Sequence, residues 1–137
     1  MIMSKELENE IALLANVFYG EGEPTEFGCH ESEIALMKEY VESLEPYKPY
    51  CVVANWKLWD IQAPIIQSGE HPPVLVVKAD QIIEDEMNRF PPGGWVRSTE
   101  IKEVHKKCIF RTINTSYILV GSGTKLSVDL EDVMKFF

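Results

Sequence analysis

The sequence predicts an α+β protein in which N-terminal helices pack on one face of an antiparallel sheet. Helical apolar spacing fills residues 1–49, whereas short β-branched runs bounded by proline, glycine and asparagine fill most of 50–137. Helices and strands do not alternate, as a doubly wound parallel sheet would require. At 137 residues, with 45% hydrophobic and 26% charged side chains, the chain suits a single domain over 1–137 with one core.

The elements follow in order. In "SKELENEIALLANVFYG", Leu7, Ile11, Leu14 and Phe18 recur at helical spacing, with Ser4 placed to cap the start and Gly20 to end it. "EGEPTEFGCH" reads as a loop. "ESEIALMKEYVESLEP" is a second helix whose buried stripe is Ile34, Met37, Val41 and Leu44, stopped by Pro46. "YCVVANW" (50–56) and "PVLVVKA" (73–79) read as strands. The apolar but irregular 57–72 between them is expected to pack over the sheet. "DQIIEDEMNRFPPGG" reads as a helical turn entering a loop. Strands are expected near 95–99, 107–113, 116–121 and 125–128, with Asn114–Thr115 and Ser122–Gly123 as the tight turns of a meander. "DLEDVMKFF" closes as a helix with Asp129 as its cap.

Net charge is −9 and unevenly placed. Residues 1–49 hold eleven acids against Lys5, Lys38 and Lys48, while 50–137 are nearly balanced. A phosphate-coating protein presents surplus Lys and Arg, because counterion release drives that binding. Direct nucleic-acid binding is therefore not expected. An acidic helix face suits solubility, a basic protein partner, or imitation of a nucleic-acid backbone. Cys29, Cys51 and Cys108 make no disulfide framework, and the N-terminus has no basic segment leading into an apolar run. A cytoplasmic location is expected. No apolar stretch approaches the roughly 18 residues that span a bilayer, so no membrane is expected either.

The candidate chemistry is sparse. Cys29, His30, His105 and Cys108 are the imaginable zinc ligands, but only His105-x-x-Cys108 has useful spacing, and on a strand that pair faces opposite ways. Neither metal nor cofactor is expected. Ser98, His105, Cys108 and Asp80 can be drawn as a hydrolytic set, yet no nucleophile elbow or zincin motif places them. "GSGTK" (121–125) lacks the order of a phosphate loop and reads as a hairpin turn. Asp80 and Glu84, at helical i,i+4 spacing and beside Asp85 and Glu86, could share a hard cation or sit on a solvated turn. The surface most suited to recognition combines Trp95, Arg97, Thr99, Arg111, Asn114 and Tyr117, the residue types that anchor interfaces. Trp95 has a second reading, as core of the sheet.

Two blocks, Gly94-Trp95-Val96-Arg97-Ser98-Thr99 and Phe110-Arg111-Thr112-Ile113-Asn114-Thr115-Ser116-Tyr117-Ile118-Leu119-Val120-Gly121, resemble a family of small bacterial proteins with a domain of unknown function, often found in prophage and other mobile regions. The hydroxyl pair of the first block is reversed relative to that family. The resemblance covers roughly the C-terminal 45 residues and implies no activity or catalytic residue. Taken with the charge pattern, it leads to the expectation of a non-enzymatic protein-binding or regulatory protein, in its narrowest form an acidic anti-defence inhibitor. The alternative is a small enzyme or ligand-binding domain with a pocket beside the 91–99 loop.

Overall fold

The structure is a computed structural model that describes residues 5–20 and 22–136, with only the backbone of 13, 14, 16–19 and 136. In order, the elements are α1 (Lys5–Tyr19), β1 (Glu23–Pro24), a 3-10 turn (Glu31–Glu33) leading into α2 (Ile34–Leu44), β2 (Tyr50–Gln62) and α3 (Pro64–Gln67). Then come β3 (Val74–Asp85), β4 (Val96–Arg97), β5 (Glu103–His105), β6 (Ile109–Arg111), β7 (Ser116–Leu119), β8 (Thr124–Asp129) and α4 (Leu130–Phe136). Helices and a sheet are both present, so the fold is α+β. No described helix is long and apolar enough to cross a membrane.

The sheet is mixed, which corrects the expected antiparallel meander. β2 lies at its centre and pairs antiparallel with β3 from Cys51–Asp85 to Ile61–Val74. On its other side it runs parallel first to β7 (Tyr50–Val53 beside Ser116–Leu119) and then to β8 (Lys57–Gln62 beside Thr124–Asp129). β6 and β5 extend the sheet beyond β7 by antiparallel pairing, β1 lies beyond β8, and β4 beyond β3. Asn114–Thr115 does reverse the chain between β6 and β7. Ser122–Gly123 does not: β7 and β8 travel in the same direction along β2.

The step between β7 and β8 has a physical cause. Asn55 and Gly121 both take positive φ, 51° and 78°, which offsets β2 and its neighbour at the same level. Trp56 fills the offset, its indole N–H donating to the Val120 carbonyl at 3.2 Å. A Cβ on Gly123 would stand 2.4 Å from the indole ring, so only glycine fits beneath it. Gly28 is equally confined: at φ 109° its Cβ would stand 2.0 Å from the Gly121 carbonyl oxygen.

The same offset explains why 57–62 reads as irregular. Cys51 and Val53 belong to one core cluster with Phe110, Tyr117 and Leu119; after Asn55 the inward phase moves to Trp56 and Leu58. Val52 joins a second cluster with Cys29, Met37, Val41, Cys108, Ile109 and Ile118, and Trp59 and Ile61 join a third with Val128 and Val133. A strand buried on both faces has no clean alternation. Residues 81–85, expected in a helical turn, instead continue β3, because β2 is long enough to pair with them.

The helices match their sequence limits more closely than their faces. Met37 and Val41 are buried and Ile34 half-buried, but Leu44 is exposed. Leu7 and Ile11 are also exposed, the side chains of Leu14 and Phe18 and the Ser4 cap lie outside the described residues, and Glu10 ties α1 to Lys135 of α4 at 2.8 Å. Gly123→Ala is expected to cost about 2–3 kcal/mol, because the indole has nowhere to retreat. Urea unfolding would register this as a lower midpoint with an unchanged slope.

Candidate functional site

The structure distributes the six residues singled out from sequence over four places. Trp95, Arg97 and Thr99 lie at β4 and are exposed, while Val96 and Ser98 alternate inward and are buried. Ser98 closes the open side of β3: its N–H donates to the Val77 carbonyl at 2.8 Å, and its hydroxyl accepts from the Val77 N–H at 2.9 Å. Pairing sets Lys57, Lys78 and Arg97 side by side across three strands. Lys78 is buried, forms an ion pair with Asp80, and holds its ammonium 5.9 Å from the centre of the Trp95 ring. Lys57 donates to the Gly20 carbonyl at 2.9 Å.

Arg111 does not point outward, as a strand position had suggested. It is buried, donating to Glu45 and Glu103 at 2.8 Å each and to the Ser116 hydroxyl at 3.2 Å. Glu103 also meets His105 Nε2 at 2.9 Å, and His105 Nδ1 meets the Tyr40 hydroxyl at 3.0 Å. Hydrogen bonding from His105, reinforced by the Arg111 charge, holds the Glu103 carboxyl below its ordinary range. Lys48 completes the join, pairing with Glu45 at 3.1 Å and donating to the Thr112 carbonyl at 2.9 Å. The chain Tyr40–His105–Glu103–Arg111–Glu45 thus clamps α2 to β5 and β6.

Beyond the clamp, the Thr112 hydroxyl accepts the N–H groups of Asn114 and Thr115 at 3.3 and 3.1 Å, which forms the turn before β7. Asn114 stands at that turn, exposed beside Ile113, which is 76% accessible. Tyr47, one residue before the lysine that bonds Thr112, is 96% accessible. Tyr117, in contrast, is buried in the cluster of Cys51 and Phe110, and burial pushes its phenol upward.

One network was missed. Asp85 accepts from Arg89 Nη2 at 2.8 Å, from Arg89 Nε at 3.1 Å and from the Arg89 backbone N–H at 2.6 Å, while Arg89 Nη1 donates to the Thr115 hydroxyl at 3.0 Å. Burial by itself would raise the Asp85 carboxyl; the hydrogen bonds and charge of Arg89 outweigh it and leave it below its usual value. An Asp-x-x-x-Arg spacing was visible, but the segment's extended geometry was not. Because β3 is extended, the neighbouring acids disperse: Asp80 to Lys78, Asp85 to Arg89, and Glu84 to the Tyr50 hydroxyl and to Lys38 at 2.8 Å. Their shared-cation reading is thereby overturned.

The remaining chemical candidates are also placed. His30 accepts the Ser32 N–H at 3.1 Å as a cap, far in role from His105, and no group of three His, Cys, Asp or Glu among the described residues is arranged to hold a metal ion. Burial pushes the Cys51 thiol up to about 12, which makes it a poor nucleophile. Open depressions border α2 (Lys38, Glu42, Tyr50, Glu86), the strand offset (Asn55, Asp80, Ser122) and β1–β8 (Glu23, Asp60, Ser127).

This arrangement defines a small α+β protein whose polar residues mostly bind one element to another around a mixed sheet. The chain belongs to the family described as Domain of unknown function (DUF6957), whose model matches residues 26–135. That match takes in α2 and the sheet from residue 26 onward and leaves α1 outside. No curated protein and no solved structure matches the chain.

The Asp85–Arg89 pair gives a pH prediction. A carboxylate held below its unfolded pKa stabilises the fold above about pH 4, and that contribution disappears as pH falls through the folded value. Asp85→Asn should therefore flatten the acid limb of stability against pH. At neutral pH it should cost about 2 kcal/mol, less than the roughly 3–5 of a fully buried pair because Arg89 still reaches water. Thermal melts between pH 3 and 7 would check both.

Proposed function

We propose that the protein is a non-enzymatic binding or regulatory protein that acts through contact with another protein. The observation that carries this reading is the placement of tryptophan. Trp56 and Trp59 are 2% and 0% accessible, whereas Trp95, immediately before the two-residue β4, is 52% accessible, with Arg97 and Thr99 also exposed at alternate positions. An indole held over the Lys78 ammonium, next to an exposed guanidinium, suits a partner that offers a carboxylate beside an apolar side chain.

We assign direct contact to Trp95, Arg97 and Thr99, with Asn114, Tyr47 and Ile113 as a second patch. Arg111 and Tyr117 take supporting roles, holding the clamp and the core beneath that patch. We also infer that α2 and α4 cover the same face of the sheet: Val52, before the phase change at Asn55, belongs to the cluster α2 joins, Trp59 and Ile61, after it, belong to the cluster α4 joins, and on β2 all three alternate with Cys51, Val53, Trp56 and Leu58 of the other cluster.

In the narrower form of the proposal, the protein serves a bacterial mobile element in the cytoplasm, and the acidic face occupies a nucleic-acid channel of a host complex. Glu6 and Glu8, in the first turn of α1, support this reading. Glu10 contributes less, since it is joined to Lys135.

Affinity capture from a native host with the wild-type chain, Trp95→Ala and Arg97→Glu tests the main reading. A stoichiometric partner should be retained by wild type and lost by both variants, each weakened by more than about thirtyfold if they are interface anchors. Equal retention by all three would remove β4 from the interface. Charge reversal at Glu6, Glu8 and Glu10 should abolish a salt-sensitive contact with a basic partner; unchanged, salt-independent affinity would end the narrower form.

A further inference from the structure

We infer that Cys29 and Cys108 form an oxidisable pair, a site at which this chain accepts an intramolecular disulfide that joins its entry segment to the β5–β6 hairpin. Seventy-nine positions separate them, and nothing in the cysteine spacing suggests a partnership. The backbone creates it. The Gly28 N–H donates to the Lys107 carbonyl at 2.9 Å, so the chain immediately before Cys29 lies beside the chain immediately before Cys108. Leu119 then binds both cysteines, its N–H donating to the Cys108 carbonyl at 2.8 Å and its carbonyl accepting the Cys29 N–H at 2.9 Å. Cys29 also bridges to Val120 in parallel.

Held on the N–H and the carbonyl of one residue, the two cysteines are brought together on the same side of β7, the proximity that a disulfide, with Cα atoms roughly 4.4–6.8 Å apart, requires. The side chains agree with the backbone. Both cysteines are free, both are buried in the cluster closed by Met37 and Val41 of α2, and their thiols are close enough to interact directly. Cys51 lies in a different cluster, with Trp56 and Phe110.

The two histidines next in sequence are committed elsewhere, His30 to Ser32 and His105 to Glu103 and Tyr40. The pair is therefore suited to redox chemistry rather than to a four-ligand metal site. With a small-molecule disulfide such as oxidised glutathione, one cysteine thiolate attacks a glutathione sulfur and releases one glutathione thiol. The second cysteine thiolate then attacks the protein-bound sulfur, forming the Cys29–Cys108 bond and releasing the second glutathione. Two thiol protons are transferred to the departing glutathiones, the protein loses two electrons and the oxidant gains them. Burial makes the first attack slow and dependent on local opening, so the pair persists as dithiol under reducing conditions and locks only on sustained oxidation.

The test uses the full chain, reduced and then incubated with oxidised glutathione below its melting temperature. The expected product is a monomer lighter by about two mass units, the two hydrogens lost in the bond. A non-reducing peptide map should join the peptides that contain Cys29 and Cys108, with Cys51 left as free thiol. The melting midpoint should rise by several degrees and return with dithiothreitol. Cys51→Ala should retain the mass loss, and Cys108→Ala, if folded, should abolish it. A persistent glutathione adduct without the cross-link, a bond through Cys51, or full recovery of both thiols once a surface dithiol control has oxidised would each overturn the proposal.

Discussion

The fold depends on one contact, the indole of Trp56 seated on Gly123. At that level β2 turns through Asn55 and its neighbour through Gly121, both at positive φ, so two adjacent backbones are offset together and leave a gap in the ladder. An indole fills it, satisfies its own N–H on Val120, and removes on the order of 200 Å² of surface from water, worth about 5 kcal/mol. Everything downstream follows from this. Because the chain steps sideways there instead of reversing, β7 and β8 both lie parallel to β2. β6 and β5 then continue from β7 at the first level and β1 pairs with β8 at the second, both on the side of β2 away from β3.

A second layer of organisation is polar. The long helix α2 buries only Met37 and Val41 fully, a small apolar anchor for eleven residues. Its attachment is completed by Glu45 and Lys48 just past its end, by Tyr40, and by Lys38 on Glu84. Exposed pairs of this kind contribute little singly, but those of Glu45, Lys48 and Tyr40 are linked through Arg111 and Glu103, so the loss of one member loosens several. Asp85 performs the same service for the 86–95 loop through Arg89. Polar residues that look chemically suggestive in one dimension are, in three, largely joints between segments.

This affects how the two blocks that resemble a known family are read. In the first, Ser98 and Val96 serve the sheet and Trp95, Arg97 and Thr99 are left outward. In the second, Arg111, Thr112, Thr115 and Tyr117 are internal, while Ile113 and Asn114 reach the surface. The recognition surface proposed here therefore separates into two patches, each mounted on a short, firmly bonded piece of backbone. The paired thiols of Cys29 and Cys108 lie between α2 and the strands that carry the second patch.

Local signals were legible where the physics is local. The spacing of Ile34, Met37 and Val41 marked α2, Pro46 its end, the β-branched runs at 50–56 and 73–79 the two long strands, and Asn114–Thr115 a true reversal. Trp59 and Ile61 defeated the same method because they are buried on the opposite face from Trp56 and Leu58, which erases alternation. Residues 81–85 were misread because their strand character comes from pairing with β2, while their composition is that of a turn.

By itself the sequence determined that the two longest helices precede the main strands, that the N-terminal part is acidic, and that 50–56 and 73–79 are extended. Tertiary structure alone decided that Gly121–Gly123 is a step and not a turn, that Arg111 lies inside, and that Cys29 meets Cys108. The reason is one of range. Periodicity and turn chemistry act over a few residues, whereas strand order, ion-pair partners and thiol proximity arise only when segments dozens of positions apart are folded against each other.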